Sequence, residues 1–253
     1  MVKLSKSNLI FPIPHRSPHV IAILSAVALL IIGIPVTLHF AQNLAAAQTS
    51  IRIMPLGDSI TFGEGSSSYG GYRVALWNEL KAAHLHITFV GSKDSGPATL
   101  PSQANEGHPG ARIDQISDHV VAWLQQYQPQ IILLHIGTND IFQNYSVNTA
   151  PARLQHLLMQ IMTTLPHAIV IVAQIIPLEK FGRNREVIAY NRTIPGIVQQ
   201  LAQQGKHVEY VDMYDAVPVS DIPDQIHPNN QGYNLMAPVW FVALKPILQS
   251  RKV

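Results

Sequence analysis

The sequence predicts an α/β protein, a three-layer α/β/α sandwich built on a flavodoxin-like parallel sheet of about five strands. Two observations lead to this fold class. Short runs rich in isoleucine and valine alternate with longer segments of helical periodicity, which is the pattern of consecutive βαβ units. The short runs, such as "IILLHI", are almost continuously apolar, as is typical of parallel strands covered by helices on both faces.

Five strands and five helices follow from this pattern. The predicted strands occupy residues 51–55, 87–90, 131–136, 168–173 and 208–211. The predicted helices occupy residues 72–83, 113–127, 149–165, 185–204 and 229–248. In the second helix Ile113, Ile116 and Val120 recur at three- and four-residue steps and form one apolar face. Residues 91–112, rich in glycine and proline, predict a long irregular loop.

The first 47 residues predict a signal peptide or an N-terminal membrane anchor, and residues 48–253 predict a single domain. Lys3, Lys6 and Arg16 precede the uncharged apolar run 20–38, and small residues follow it at 45–47. The run is long for a signal peptide and near the lower limit for a membrane span, so both interpretations stay open. Its asymmetric flanks argue against a buried core helix. Because positive charge stays inside, we expect the domain to be secreted, or anchored outside the cytoplasm.

The composition excludes several classes of function. The chain has no cysteine, which rules out disulfides, thiolate catalysis and cysteine metal sites. Beyond the N-terminal basic residues the charges nearly balance, and no basic patch indicates nucleic-acid binding. The 12 histidines are scattered along the chain, so we expect structural roles for most of them and no metal site.

Polar segments follow three of the predicted strands. "GDS" at residues 57–59 follows the first strand, and "GTND" at residues 137–140 follows the third. After the fifth strand the chain reaches "DIPDQIHPNN", which contains Asp224 and His227. In open α/β sheets the ligand crevice lies outside the carboxyl ends of the strands, so the three segments predict one functional site.

The residue types at this edge suit acyl transfer. The hydroxyl of Ser59 needs a general base within hydrogen-bond reach, and the base needs an orienting partner. His227 is the predicted base, and Asp224, three residues earlier, can point the same way in a turn and fix the imidazole tautomer. Each segment alone is also ordinary turn or helix-cap chemistry. Their complementarity favours catalysis.

Attack on an ester creates an oxyanion, which needs hydrogen-bond donors aimed at it. The side chain of Asn139 and the backbone N–H of Ser59 are predicted donors. A third is a glycine of the long loop, where the backbone can approach closely without a Cβ. Gly91 and Gly110 are both candidates.

These segments resemble the sequence blocks of the SGNH, or GDSL-type, esterases and lipases. The family's first block, Gly-Asp-Ser, matches residues 57–59; its third, Gly-x-Asn-Asp, matches 137–140; its last, Asp-x-x-His, matches 224–227. The matches stand in the family's order, and the resemblance extends from residue 51 to the C-terminus. It implies an α/β/α fold and a two-step acyl transfer that uses no metal or organic cofactor.

The phrases "NEGHPGARIDQI", "GGYR" and "LLHIGTND" look most like the acetylxylan-esterase branch, carbohydrate esterase family three. On that resemblance the second-block glycine is Gly110. The resemblance thus implies a triad of Ser59, His227 and Asp224, and an oxyanion hole of Ser59, Gly110 and Asn139. Residues 48–253 would then be the catalytic domain.

Three further residues lie just after the nucleophile segment. Tyr69, Tyr72 and Arg73 are predicted either to line the substrate site or to serve a structural role. The sequence does not decide between these two interpretations.

The leading functional hypothesis is an exported, monomeric esterase that removes acetyl or other small acyl groups from a carbohydrate or a small ester. We expect contact with a membrane only through the N-terminal segment, if that segment is not cleaved. The first alternative is a lipase, lysophospholipase or thioesterase acting on longer acyl chains. Two remoter alternatives are a metallophosphoesterase, with Asp58, Asn139 and His227 as ligands, and a non-catalytic carbohydrate-binding protein.

Overall fold

The computed structural model describes residues 50–250. The predicted signal peptide or anchor, residues 1–47, lies outside the described residues and stays a prediction. Within residues 50–250 no helix combines the length and the apolar character needed to cross a bilayer.

The described chain forms one mostly parallel sheet, and all five predicted strands are present. The strands are β1 (Ile51–Gly57), β2 (Ile87–Phe89), β3 (Lys93–Asp94), β4 (Ala104–Gly107), β5 (Ile131–His135), β6 (Ile169–Ala173) and β7 (Val208–Val211). Their order is β3-β4-β1-β5-β6-β7, with β2 paired to the first half of β1. Only the β3–β4 pairing is antiparallel among these strands. The predicted flavodoxin-like core is confirmed.

Residues 91–112 differ from the long irregular loop that the sequence predicts. They contain β3 and β4, and β4 runs parallel to the second half of β1, pairing Leu56 with Glu106 and Gly57 with Gly107. Strands of two and four residues that carry charged side chains are too short and too polar to produce an apolar run.

Eight α-helices surround the sheet in the described chain. They are α1 (Ser59–Phe62), α2 (Tyr72–Ala82), α3 (Ile113–Tyr127), α4 (Thr138–Phe142), α5 (Ala150–Thr164), α6 (Asn184–Asn191), α7 (Ile194–Gln203) and α8 (Asn230–Ser250). The helix predicted over residues 185–204 is divided into α6 and α7. Pro195 lies in the first turn of α7, where its missing N–H is tolerated, whereas inside a continuous helix it would remove a hydrogen bond.

Two apolar cores cover the two faces of the sheet. Alternate residues of β5 divide between them: Ile131 and Leu133 join the core under α2 and α8, while Ile132 and Leu134 join the core under α3, α5, α6 and α7. This alternation explains why the strand reads as continuously apolar. It also confirms the predicted three-layer α/β/α arrangement.

Candidate active site

Ser59 is the first residue of α1 and directly follows the turn that leaves β1. Asp58 caps the helix, because its Oδ1 accepts a hydrogen bond from the N–H of Ile60 at 3.0 Å. Gly57 has no room for a side chain, since a Cβ would overlap the carbonyl oxygen of His135 on β5. A tightly packed strand end and a capped helix start therefore place Ser59 at the carboxyl edge of the sheet.

Asp58 is fully buried within this turn. Burial raises its pKa from 3.8 to about 7, although the hydrogen bond from Ile60 acts in the opposite direction. Its capping bond gives Asp58 a structural role, bracing the turn beside the serine.

Ser59, His227 and Asp224 are brought together, although Ser59 and His227 are 168 residues apart. The Ser59 hydroxyl donates to Nε2 of His227 at 3.0 Å. On the other side of the ring, Nδ1–H of His227 donates to Oδ2 of Asp224 at 2.7 Å. The result is a continuous hydroxyl–imidazole–carboxylate chain, the arrangement that activates a serine for attack on an ester.

Asp224 is held by its own turn. Its Oδ1 accepts from the backbone N–H groups of Ile226 at 2.9 Å and His227 at 2.6 Å. Burial acts to raise the pKa of Asp224, but the hydrogen bonds from His227 and Ile226 outweigh it, and the pKa lies below its ordinary 3.8. Asp224 is therefore ionised at neutral pH, and its turn fixes where the imidazole stands.

The predicted oxyanion donors Gly110 and Asn139 lie on adjoining segments. Residues 108–111 form a β-turn in which the N–H of Ala111 donates to the oxygen of His108 at 3.0 Å. Gly110 has φ of 77°, which suits the third position of a type II turn that follows Pro109. Asn139 Nδ2 donates to the oxygen of Ala111 at 3.1 Å, using one amide hydrogen and leaving the second for another acceptor.

Gly91, the alternative candidate, lies against a different part of the sheet. A Cβ at Gly91 would overlap the backbone of Asn105 on β4. Close packing against β4 thus accounts for this glycine. The segment that the structure joins to Asn139 contains Gly110 and not Gly91.

Asp140 connects the turn of Gly110 to the helix of Asn139. It is fully buried, and its Oδ2 accepts from the N–H of Ile113, the first residue of α3, at 3.0 Å. Its Oδ1 accepts from Nη2 of Arg153 at 2.7 Å. Burial raises the pKa of Asp140, with the Arg153 hydrogen bond opposing it. The start of α3 and the short helix α4 are thereby held together.

Glu106 and His108 form a second support that the sequence analysis missed. Glu106 is fully buried on β4, and its Oε1 lies 2.6 Å from Nε2 of His108. The backbone N–H of His108 donates to the oxygen of Gly57 at 2.9 Å, and its ring stacks on Trp123 at 4.4 Å. These contacts anchor the Gly110 turn to the end of β1. The only sequence signal for them is the carboxylate two residues before the histidine in "NEGHPG".

The substrate-lining alternative is wrong for Tyr72 and Arg73. Both side chains are fully buried, so neither can contact a substrate. Tyr72 packs on Trp240 with ring centroids 5.7 Å apart, and burial raises its pKa to about 12. Tyr69 is 54% exposed, and its role as a substrate contact stays a prediction.

Arg73 instead ties the nucleophile loop to the segment beyond β3. Burial lowers its pKa to about 10, and its guanidinium nitrogens donate to neutral oxygens at 2.7 to 3.3 Å. The acceptors are the backbone oxygens of Thr61, Phe62, Tyr69, Ser95 and Gln103 and the hydroxyl of Ser95. A sequence gives no signal that so many carbonyl groups converge on one cation.

Residues 50–250 contain no group of three or more His, Cys, Asp or Glu side chains arranged to hold a metal ion. Both ring nitrogens of His227 already face protein partners, and the capping oxygen of Asp58 faces the N–H of Ile60. This arrangement does not favour the metallophosphoesterase alternative. The expectation that no cofactor is needed stays a prediction.

Comparisons with known proteins point to one family. The sequence profile of the GDSL-like lipase/acylhydrolase family matches residues 56–235. A multidomain esterase of Ruminococcus flavefaciens is 29% identical over 238 residues, which cover 83% of this chain and 30% of that protein. The family 3 carbohydrate esterase of Clostridium thermocellum has a TM-score of 0.73 and 36% identity, covering 80% of this chain and 98% of that one.

A serine-to-alanine mutant of an acetyl esterase, solved with an acetate ion, has a TM-score of 0.68 and 25% identity, covering 79% of this chain and 99% of that one. The chain spans less than a third of the length of the Ruminococcus relative. The family profile nevertheless covers most of the described residues and includes all three segments of the site. This chain belongs to the GDSL-like lipase/acylhydrolase family.

Proposed function

We propose that this chain is an exported serine esterase that removes small acyl groups, acetyl above all, from carbohydrates. The observation that carries the mechanism is the hydrogen-bond chain from Ser59 through His227 to Asp224. The carbohydrate and acetyl parts of the proposal are supported by the similarity to a family 3 carbohydrate esterase and to an acetyl esterase. Export is supported by the N-terminal sequence pattern.

Acylation begins at the hydroxyl of Ser59. His227 Nε2 takes the proton as Oγ attacks the ester carbonyl, and Asp224 stabilises the imidazolium that forms. The tetrahedral intermediate then expels the alcohol, which leaves with the proton from Nε2. The acyl group remains on Ser59 as an ester.

Deacylation repeats these steps with water. Water gives a proton to His227 Nε2 and attacks the acyl carbon, and the bond from that carbon to Ser59 Oγ breaks as Oγ recovers the proton. The carboxylic acid leaves, and the free serine is restored. No step requires a metal ion or an organic cofactor.

The oxyanion is bound by three donors in this proposal. The N–H of Ser59 belongs to the first turn of α1, where N–H groups have no acceptor within the helix. The N–H of Gly110 is not used in the hydrogen bond that closes its turn, which runs from Ala111 to His108. The second amide hydrogen of Asn139 completes the set.

The experiment that tests the mechanism is Ser59→Ala with p-nitrophenyl acetate. We expect hydrolysis to fall by at least about a thousandfold, while the thermal unfolding midpoint stays close to that of the parent protein. Ser117→Ala, a substitution on α3, is the matched control. Activity in Ser59→Ala equal to that of the control would remove Ser59 from the mechanism.

The substrate class is tested by p-nitrophenyl esters of increasing chain length, with acetylated xylan alongside. We expect kcat/KM to be highest for acetate and to fall as the acyl chain lengthens, and we expect acetate release from the polysaccharide. A maximum at long acyl chains would instead support the lipase, lysophospholipase or thioesterase alternative.

Export is tested by intact-mass analysis of the protein recovered from outside the cytoplasm. Loss of residues 1–47 would support a cleaved signal peptide, and the full-length mass would support an anchor. Recovery of all the protein from the cytoplasm would contradict export.

A further inference from the structure

A carboxylate that the mechanism does not use stands beside the catalytic base. Oε2 of Glu64 lies 3.4 Å from Nε2 of His227, the same nitrogen that accepts the hydrogen bond from Ser59 at 3.0 Å. The side chain of Glu64 is 35% exposed. Glu64 therefore stands at the solvent-facing side of the site, next to the nitrogen that handles the proton.

The backbone of Glu64 is fixed on both sides of its Cα. Its N–H donates to the oxygen of Ser59 at 3.0 Å, and its carbonyl oxygen accepts from the hydroxyl of Tyr233 at 2.6 Å. The next residue, Gly65, packs so closely on the base that a Cβ would lie 2.8 Å from Cβ of His227. These contacts hold the loop of Glu64 against both reacting residues.

The position of Glu64 constrains the leaving alcohol. During acylation the ester oxygen of the alcohol must come within hydrogen-bond distance of His227 Nε2 to receive its proton. A group on the neighbouring carbon of the alcohol then lies within reach of a carboxylate that is itself 3.4 Å from Nε2. An ionised carboxylate only accepts hydrogen bonds, so the group that fits there is a donor.

We propose that Glu64 is a specificity-determining residue that accepts a hydrogen bond from a hydroxyl vicinal to the scissile ester. A sugar acylated at a secondary hydroxyl carries such a group wherever a neighbouring ring carbon is neither acylated nor part of a glycosidic bond. A simple alkyl or aryl ester does not. This inference rests on the proposed serine mechanism and names the feature of the alcohol that the same site recognises.

A matched pair of small acetates isolates this contact. In 2-hydroxyethyl acetate the leaving alcohol has a vicinal hydroxyl, whereas in 2-methoxyethyl acetate a methyl ether replaces it and cannot donate. The quantity to measure is the ratio of kcat/KM for the two acetates, because kcat/KM reports the steps through acylation, in which the alcohol leaves. Hydrogen bonds to charged groups are strong but weaken with exposure, so we expect a ratio of about ten in the parent enzyme.

The variants are Glu64→Ala and Glu64→Gln, with Glu209→Gln on β7 as the control for loss of one negative charge. We expect the ratio to fall to about one in Glu64→Ala, to an intermediate value in Glu64→Gln, whose amide oxygen still accepts, and to stay unchanged in Glu209→Gln. Using a ratio cancels any general loss of activity in a variant. A parent ratio near one, or a parent ratio retained in Glu64→Ala, would overturn the assignment.

The same assay separates this inference from the proposed function. Ser59→Ala is run with both acetates to show that the hydrolysis measured depends on the serine. Serine-dependent hydrolysis with no preference between the acetates refutes the role of Glu64 and leaves the serine mechanism in place. Hydrolysis that does not depend on Ser59 refutes both.

Discussion

Two aspartates accompany the two reacting side chains, and their surroundings are opposite. Asp58, directly before Ser59, is fully buried, caps α1 and has a pKa raised by burial to about 7. Asp224, three residues before His227, has a side chain that is 52% exposed and a pKa lowered by its hydrogen bonds. This difference shows that Ser59 is positioned by a buried, tightly packed turn. His227, in contrast, is positioned by an ionised carboxylate and the turn that contains it.

Asp224→Asn is expected to have the largest effect. Asparagine can still accept from the backbone of its turn, but its amide cannot act as the anionic acceptor of the Nδ1–H of His227, so the imidazole tautomer is wrong for a base. We expect kcat to fall by about 10³- to 10⁴-fold with an almost unchanged unfolding midpoint. The measurement is hydrolysis of p-nitrophenyl acetate, with the exposed Asp118→Asn as control. A loss below tenfold would mean that the base does not depend on this carboxylate.

Asn139→Ala is expected to have the second-largest effect. It removes the side-chain amide that we propose as an oxyanion donor, and we expect kcat to fall by about 10²- to 10³-fold. Steady-state kinetics with p-nitrophenyl acetate measure this, and the exposed Asn148→Ala serves as the matched control. If only KM changed, Asn139 would bind the ground state and the transition state equally.

Asp58→Asn should change stability more than activity. Between pH 3.8 and about 7, the folded protein holds a proton on Asp58 that the unfolded chain has released, so this residue's contribution to stability falls as the pH rises through that window. Asparagine keeps the capping oxygen and cannot ionise. We expect the variant to be more stable than the parent at pH 8, by up to about 4 kcal/mol, with the difference closing near pH 4.

Urea unfolding of both proteins at pH 4, 6 and 8 measures this difference, and Asp118→Asn again serves as the control. We expect the activity of Asp58→Asn to stay within about tenfold of the parent, since the cap is retained. A stability gap that widens toward acid pH would show that Asp58 is ionised in the folded state. A loss of activity as large as that of Asp224→Asn would show that Asp58, like Asp224, is needed for catalysis and not only for structure.

The smallest expected effect is that of a chelator. If a metal ion bound between the segments that carry Ser59 and His227, Asp58 and His227 would both be ligands, and EDTA would abolish activity. The hydrogen bonds of both residues lead us to expect unchanged rates after dialysis against EDTA. Loss of activity that divalent ions restore would contradict the serine mechanism as written.

The sequence predicts most of the fold because the same unit, an apolar strand followed by a helix, recurs along the chain. The central parallel strands β5 and β6 are covered on both faces and are almost continuously apolar. A strand that is short and polar is not predicted from the sequence. β4 has the sequence "ANEG" and places the buried carboxylate of Glu106 in the sheet. A strand of four residues with a charged side chain gives no periodic signal.

The site was predictable where chemistry and topology act together. Ser59, Asn139 and His227 follow different strands, and a parallel sheet brings their segments to one edge. The supporting contacts were not predictable, because they depend on three-dimensional convergence. Arg73 binds carbonyl oxygens from several loops, and Glu64 reaches the base from a neighbouring loop. Neither contact leaves a pattern in the order of residues.

The central claim is that His227 activates Ser59, and covalent labelling tests it most directly. The enzyme is treated with diethyl p-nitrophenyl phosphate, an ester that phosphorylates activated serines, and the adduct is located by peptide mass spectrometry. We predict a single adduct on Ser59, formed at least about a hundredfold more slowly in His227→Ala. An adduct on a different residue, or equal labelling rates in the two proteins, would contradict the account.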